Sequence, residues 1–373
     1  SSCIQSLLTV PPLLNLPSLY SIDLFQLTEM ILISVSSLLK RALVAGCSVQ
    51  SFLSIIRPHI THSPNAGIVY ACLLKVGKLP WEEKKEAIRW LLTQCEIMKT
   101  ECFLTCLFLL GDIGLNCDGK NDTSMIETIL EVYLKKWDEG LSQQNSGLFL
   151  ALITGSARFL QSISRIPLAL SLKTEERMTK LSQLILRPFL VIFDKVNDSL
   201  SSRSRRSDSS MQCGVKCHAY TTDIGSIQVP DGGETTVLHC GLMLNAWLFS
   251  QDKEVGMDLL QMACYFAKQS TQPSLRLVAL STLPQLLPQA DSSLRLRLLT
   301  LLCNTASYTS LNGVSSSIPT ISNWALNTLP REIIISSPLQ DRIQKILITN
   351  EQKNREHLLD LTLNEESMKR VYE

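Results

Sequence analysis

The residues best equipped for chemistry lie between positions 199 and 240. Cys213-Gly-Val-Lys-Cys217-His218 sets two thiols and an imidazole close together, and His239-Cys240 follows. Sulfur and nitrogen donors of this kind can hold zinc in a tetrahedral shell. The spacing argues for another reading. Three residues separate the first two cysteines instead of the commoner two, the second pair is adjacent, and His239 and Cys240 fall inside an apolar helical pattern. Cys213, Cys217 and His218 therefore stand as candidate zinc ligands against the reading that they are loop thiols beside an incidental imidazole. No metal and no cofactor is expected. Just before them, Arg203-Ser204-Arg205-Arg206-Ser207 groups three guanidinium charges among serines. Ser207 is a candidate phosphorylation site, where a phosphate would add about −1.5 to −2 charges beside arginine. The same cluster reads as a short nuclear-import patch or as a solvated loop.

No catalytic spacing accompanies these residues. The chain has no Gly-x-Ser-x-Gly elbow, no His-Glu-x-x-His, no phosphate-binding Gly-x-x-x-x-Gly-Lys, no dinucleotide glycine fingerprint and no calcium loop. Its five histidines are His59, His62, His218, His239 and His357, and the first two share a proline-bounded loop. A non-enzymatic chain is expected. Cys102 and Cys106 lie one turn apart on an apolar helix, which points to core packing.

The elements that must position these residues are read from periodicity. Asp23 to Ala45 carries apolar residues over much of a helix, with Lys40, Arg41 and Gly46 as stop signals. Ser48 starts a shorter helix that stops near Pro58, and Pro64 to Val76 makes another, ended by Gly77. Trp81 to Met98 opens with Glu82 and Glu83, which complement the helix dipole. Glu101 to Leu110 is almost wholly apolar and should be buried. Asp122 precedes a helix with a clear stripe, and Gly140 should end it. Leu148 to Leu160 follows, and Pro188 should kink the helix from Thr174 to Asn197. Periodicity fails from Ser199 to Glu234. Beyond it, Thr236 to Ser250 and Asp252 to Lys268 form a helical pair. Shorter helices are expected at Ile318 to Leu329 and from Pro338 to Ile348.

The most informative stretch is Thr271 to Asn304. Ser-Leu-Arg-Leu occurs at Ser274 and again at Ser293, each time opening a leucine-rich helical pattern. In the first, Leu277, Leu280, Leu283 and Leu287 recur at three and four; in the second, Leu294, Leu298, Leu301 and Leu302 do so. Ser274 is a candidate N-cap, Pro284 should kink or end its helix, and Arg276, Arg295 and Arg297 lie between the apolar positions. So broad a stripe needs neighbours on both sides. The run Pro273-x-x-Arg276-x-x-Ala279-Leu280-x-x-Leu283 resembles the second helix of a HEAT or armadillo-type repeat. The resemblance implies an all-α fold, an α-solenoid of stacked antiparallel helical hairpins. Pattern and spacing give about fourteen helices, no strand and one long disordered insertion. The expected organisation is a helical-repeat half over 1–198, a flexible Ser/Arg-rich insertion over 199–235 and a second helical-repeat half over 236–373.

Composition narrows the job. The chain has 373 residues, 45% hydrophobic and 18% charged, with net charge +1. Near-neutrality leaves no global field to attract nucleic acid or an anionic membrane. Its twelve cysteines sit largely in apolar helical patterns, as expected of a reducing compartment, where the sequons at Asn121 and Asn197 would stay unmodified. The most apolar run, Cys102 to Leu110, is too short to span a bilayer. The chain opens mid-pattern without Met, which points to a piece of a longer protein. What the repeat resemblance implies is a scaffold that binds extended segments or helices of partner proteins. A nuclear genome-maintenance or meiotic assembly is one setting, mildly favoured by the basic loop. A membrane-traffic adaptor is another. Direct nucleic-acid binding by a helical groove would recruit Arg276, Arg295 and Arg297 as a basic patch.

Overall fold

The structure, a computed structural model, describes residues 23–77, 79–94, 97–112, 123–143, 145–164, 170–201, 213–270, 272–306 and 317–349, with residues 6, 8–13 and 352. Among them it is all-helical. It has sixteen α-helices, short 3₁₀ turns and no strand. The many packed helices are compatible with a helical-repeat fold. Contacts divide the chain into two compact units, Ser1–Leu259 and Leu260–Glu373. The expected boundary segment, 199–235, lies wholly inside the first.

The first unit begins with α1 (Leu24–Val44), α2 (Val49–Ile56), α3 (Pro64–Val76), α4 (Trp81–Gln94) and α5 (Thr100–Leu109). It continues with α6 (Ser124–Gln143), α7 (Ser146–Ile163), α8 (Leu172–Ser201), α9 (Val215–Tyr220), α10 (Glu234–Met243) and α11 (Asn245–Gln251). Helix α12 (Lys253–Gln269) carries the division between the units. The predicted starts and stops are mostly local chemistry at work. Asp23 caps α1 by accepting from the N–H groups of Phe25 and Gln26, and Ser48 caps α2 through Ser51 N–H. The carboxylate of Asp252 accepts from the N–H groups of Glu254 and Val255 at the head of α12. Gly77 follows α3.

An inner row runs through the unit. Helices α3, α5, α7 and α10 pack in series, each on the next, while α8 packs on both α7 and α10, and α6 on α7 and α8. Every residue of α3 from Pro64 to Leu74 is buried, as is every residue of α10 from Thr236 to Met243. A helix buried on all sides must be covered on all sides. Outer helices supply part of that cover. Tyr70 of α3, for example, donates its hydroxyl to Ala87 O of α4 at 3.0 Å. Helix α1 supplies another part, packing on α3 and on α10. Its buried side chains are Leu24, Phe25, Thr28, Leu32, Val35 and Leu39, one stripe along the helix.

The second unit holds α13 (Pro273–Leu286), a 3₁₀ turn Leu287–Gln289, α14 (Ser292–Ala306), α15 (Ser317–Asn327) and α16 (Arg331–Ile335). A further helical stretch covers 340–349. Helix α15 packs on α13 and α14. Ser322 of α15 donates to Thr305 of α14 in the buried contact, at 2.7 Å.

Several expectations need correction. Gly140 does not end its helix; α6 runs on to Gln143. Pro284 does not end its helix but lies inside α13, while α8 runs through Pro188 as one long helix, as expected. Ser274 is not the cap of α13; Gln272 is the capping residue, with Pro273 at the first helical position. The predicted single helix 236–250 is broken at Leu244 into α10 and α11. The most informative difference is at 213–231, expected to belong to the flexible insertion. It forms α9 and a packed segment, with Cys217, Ile227 and Val229 buried. Asp122 and residues 202–212 lie outside the described residues.

A close helix crossing tests this packing. A Cβ at Gly155 of α7 would fall 2.7 Å from Leu107 O of α5 and 2.6 Å from the Tyr133 hydroxyl. That hydroxyl donates to the same carbonyl at 2.9 Å in the buried interior. Alanine gains up to about 1 kcal/mol of helix propensity over glycine. Overpacking and the loss of the buried hydrogen bond each cost about 1–3 kcal/mol. Gly155→Ala is expected to lower stability by about 2–4 kcal/mol in urea denaturation. Gly225→Ala, where a Cβ would meet nothing within 4 Å, should leave it unchanged. A stable Gly155→Ala protein would mean that the two helices are not in close contact.

Candidate functional site

The sequence-marked residues fall in separate places, and each is engaged by its own surroundings. Gly214, with φ 92°, turns the chain into the short helix α9. Asp258 of α12 closes that turn: its two carboxylate oxygens accept from Gly214 N–H at 2.6 Å and Cys217 N–H at 3.0 Å. Asp258 is buried, and so are Cys213 and Cys217. Burial first, and the neighbouring Asp258 carboxylate second, push the Cys217 thiol far above its ordinary range. His218 faces the other way, with Nε2 3.1 Å from Asp194 Oδ1 of α8 at a half-exposed position. Cys213, Cys217 and His218 therefore do not converge. Among the described residues no group of three His, Cys, Asp or Glu side chains is placed to hold a metal.

His239 and Cys240, adjacent on α10, meet different neighbours. His239 Nδ1 lies 2.7 Å from Asp23 Oδ2, and the pair is nearly enclosed, with side-chain exposures of 4% and 11%. Phe25 stacks on the imidazole with centroids 4.4 Å apart, and the Arg158 guanidinium of α7 lies over the Phe25 ring at 4.9 Å. Leu24 N–H donates to Thr236 Oγ1 at 2.9 Å beside it. Cys240 meets Thr154 Oγ1 of α7 at 3.8 Å. Enclosure drives its thiol far upward. The His239–Asp23 pair was not visible in sequence, because its members are far apart and neither lies in a motif.

The arginines have structural partners. Arg276 Nε donates to Ala267 O, the end of α12, at 2.9 Å. Arg295 donates to Leu287 O at 3.2 Å, Pro288 O at 3.3 Å and Ala290 O at 2.9 Å, the exit of α13. The repeated Ser-Leu-Arg-Leu thus places its arginine alike both times, reaching back to cap the preceding helix, where cations are favoured. Arg297 is exposed. Arg203, Arg205, Arg206 and Ser207 lie outside the described residues.

One sizeable cavity, about 700 Å³, lies in the first unit. The continuous segment from Ile224 to Asp231 makes one wall. Gly140 of α6, Asn145, Ser146 and Phe149 at the start of α7, and Val191 of α8 make the other. Its volume is in the ~300–1,000 Å³ range of small-ligand sites. Asn145 is already committed as the cap of α7, accepting from Leu148 N–H at 3.0 Å.

No protein-family model matches the chain, and no curated protein or solved structure was found to match it.

Two measurements follow from these surroundings. Replacing Arg295 by Ala should lower the stability of the second unit by about 1–3 kcal/mol, since its bonds are charge-assisted. Unchanged stability would mean the carbonyls are as well served by water. The nine described cysteines are thiols, and all but Cys47 are buried. Burial raises the pKa of Cys102, Cys217, Cys240, Cys264 and Cys303. Their stabilising contribution is complete below the unfolded thiol pKa of about 8.5 and is lost as pH rises toward the folded values. Above it the unfolded chain sheds protons that the native state keeps, so unfolding becomes easier by up to about 1.4 kcal/mol per pH unit and thiol. Urea midpoints should fall steadily from pH 8.5 to 10.5. Serine at both Cys217 and Cys240 should flatten that fall.

Proposed function

We propose that the protein is a non-catalytic scaffold that holds partner proteins on helical surfaces. The observation that carries this reading is the outer face of α1. Met30 is 66% exposed and Ile33 68%, with Leu38 and Val44 also exposed. Met30 and Ile33 stand one turn apart on the side opposite the buried stripe. Large apolar side chains grouped on one helix face are what a partner surface requires. The ionisable groups that the fold engages point the same way. Asp23, Asp258, Arg276 and Arg295 are engaged with backbone groups of the fold, and His239 with Asp23, not gathered around a shared cavity.

The finer reading, stacked hairpins of a HEAT or armadillo-type array, rests on the Ser274 and Ser293 repeats and on the serial packing of α3, α5, α7 and α10. It moves the partner surface, however. A groove along that row would be the usual seat for a partner, and here α1 packs on α3 and α10. The outer face of α1 is the better place. A nuclear genome-maintenance or meiotic assembly is the setting we favour, on the basic 203–206 cluster. Membrane traffic and direct nucleic-acid binding are the alternatives.

Affinity purification of the full-length protein, with and without Met30→Glu and Ile33→Glu together, tests the proposal. Both positions are exposed, so the melting temperature should hold while recovery of specific partners drops at least tenfold. Their identity separates the nuclear setting from the trafficking one. Partner recovery unaffected by the double variant would remove α1 from the account. A duplex-DNA shift whose salt dependence weakens with Arg297→Ala would favour the nucleic-acid alternative.

A further inference from the structure

We infer that the segment Gly225–Val229 is a docking edge for an extended peptide bearing a basic residue, which would pair with it as a β-strand along the 700 Å³ cavity. The inference deepens the scaffold reading, and rests on it, by naming a second surface and the kind of partner that fits it.

Residues 225–230 run without turn or bend. Burial alternates along them: Ser226 and Gln228 are exposed, Ile227 and Val229 buried. That two-residue period is the mark of a strand with one face on a core. Yet among the described residues the segment has no neighbouring strand. Among those residues none of the N–H and C=O groups of Gly225, Ser226, Ile227, Gln228 and Val229 makes a backbone bond; the nearest such bonds are Ile224 N–H to Thr221 O and Gly233 N–H to Pro230 O, at either end. Main-chain groups of a strand lie in the plane between its two side-chain faces, so half of them project to each edge. The whole run lines the cavity, so an extended backbone there would offer it a row of donors and acceptors along one edge. Five residues extend over about 16 Å, the length of a short strand.

An unpaired edge of this kind is completed by another extended backbone, in the manner of strand addition. The walls say more about the occupant. Phe149 and Val191 on the far side offer apolar contact to alternate side chains. Asp231 is the one charged residue in the lining, and no salt bridge or hydrogen bond engages its carboxylate among the described residues. It would take a lysine or arginine at the end of the strand.

The test is selection of displayed random twelve-residue peptides on the immobilised full-length protein. Synthetic copies of the winners are then scanned by N-methylation, one backbone position at a time. Enriched sequences should contain a basic residue among alternating apolar ones. N-methyl groups should weaken binding at every second position by tenfold or more, because only alternate N–H groups face the edge. Asp231→Lys, an exposed change, should weaken the basic peptides by at least fivefold. Ser226→Pro removes a main-chain donor, and Val191→Trp fills the cavity from the opposite wall, so a folding defect in one leaves the other to report. Enrichment with no two-residue period, or binding indifferent to Asp231→Lys and Val191→Trp, would overturn the docking edge while leaving the scaffold reading in place. So would failure to enrich any peptide when partners are still recovered through α1. Loss of both would defeat the scaffold reading itself.

Discussion

A single carboxylate joins the beginning of the first unit to its far side. One oxygen of Asp23 caps α1 and the other holds His239 on α10, a separation of 216 residues. A buried carboxylate and imidazole are each costly alone, and their mutual contact offsets much of that cost. The geometry is shared with an aromatic ring and a cation, since Phe25 lies between His239 and Arg158. Helix α1 can take its place only when α7 and α10 are both present to receive it. The cover over the inner row is therefore a strongly non-local contact of the unit, of the kind that forms late in folding.

Much of the fold was legible because helices announce themselves locally. The helix starts at Asp23, Ser48 and Asp252 were readable from residue type and position alone. The stop at Gly77 was equally plain. The misreadings share one cause, which is packing that overrides local preference. Gly140 reads as a terminator, but its bare Cα lets Leu148 and Leu152 of α7 come close, and a Cβ there would stand 3.0 Å from Leu152.

The region after α8 shows the limit more sharply. Its sequence is polar and lacks a period, so its ordered part was unreadable. Order comes from outside it: Asp258, on a helix some forty residues later, closes the turn at Gly214. An acidic residue in an otherwise apolar helical pattern looks like a solvent-facing position, and nothing local marks it as buried. The same holds for Arg276 and Arg295. Their motif was visible, and so was its repetition, but sequence could not say whether the guanidinium faced a partner or the preceding helix. Both do the latter, which makes the repeat a joint between successive helices.

The placement of α1 carries one more consequence. The link behind it passes through an exposed Gly46 with φ 92°, then Cys47, before Ser48 opens α2. A cut there would leave α1 bound by its buried stripe and by the Asp23 and Thr236 contacts alone. The two pieces would form a complementation pair, a peptide and its receptor made from one polypeptide, and rejoining them would measure the affinity of a helix for its own seat.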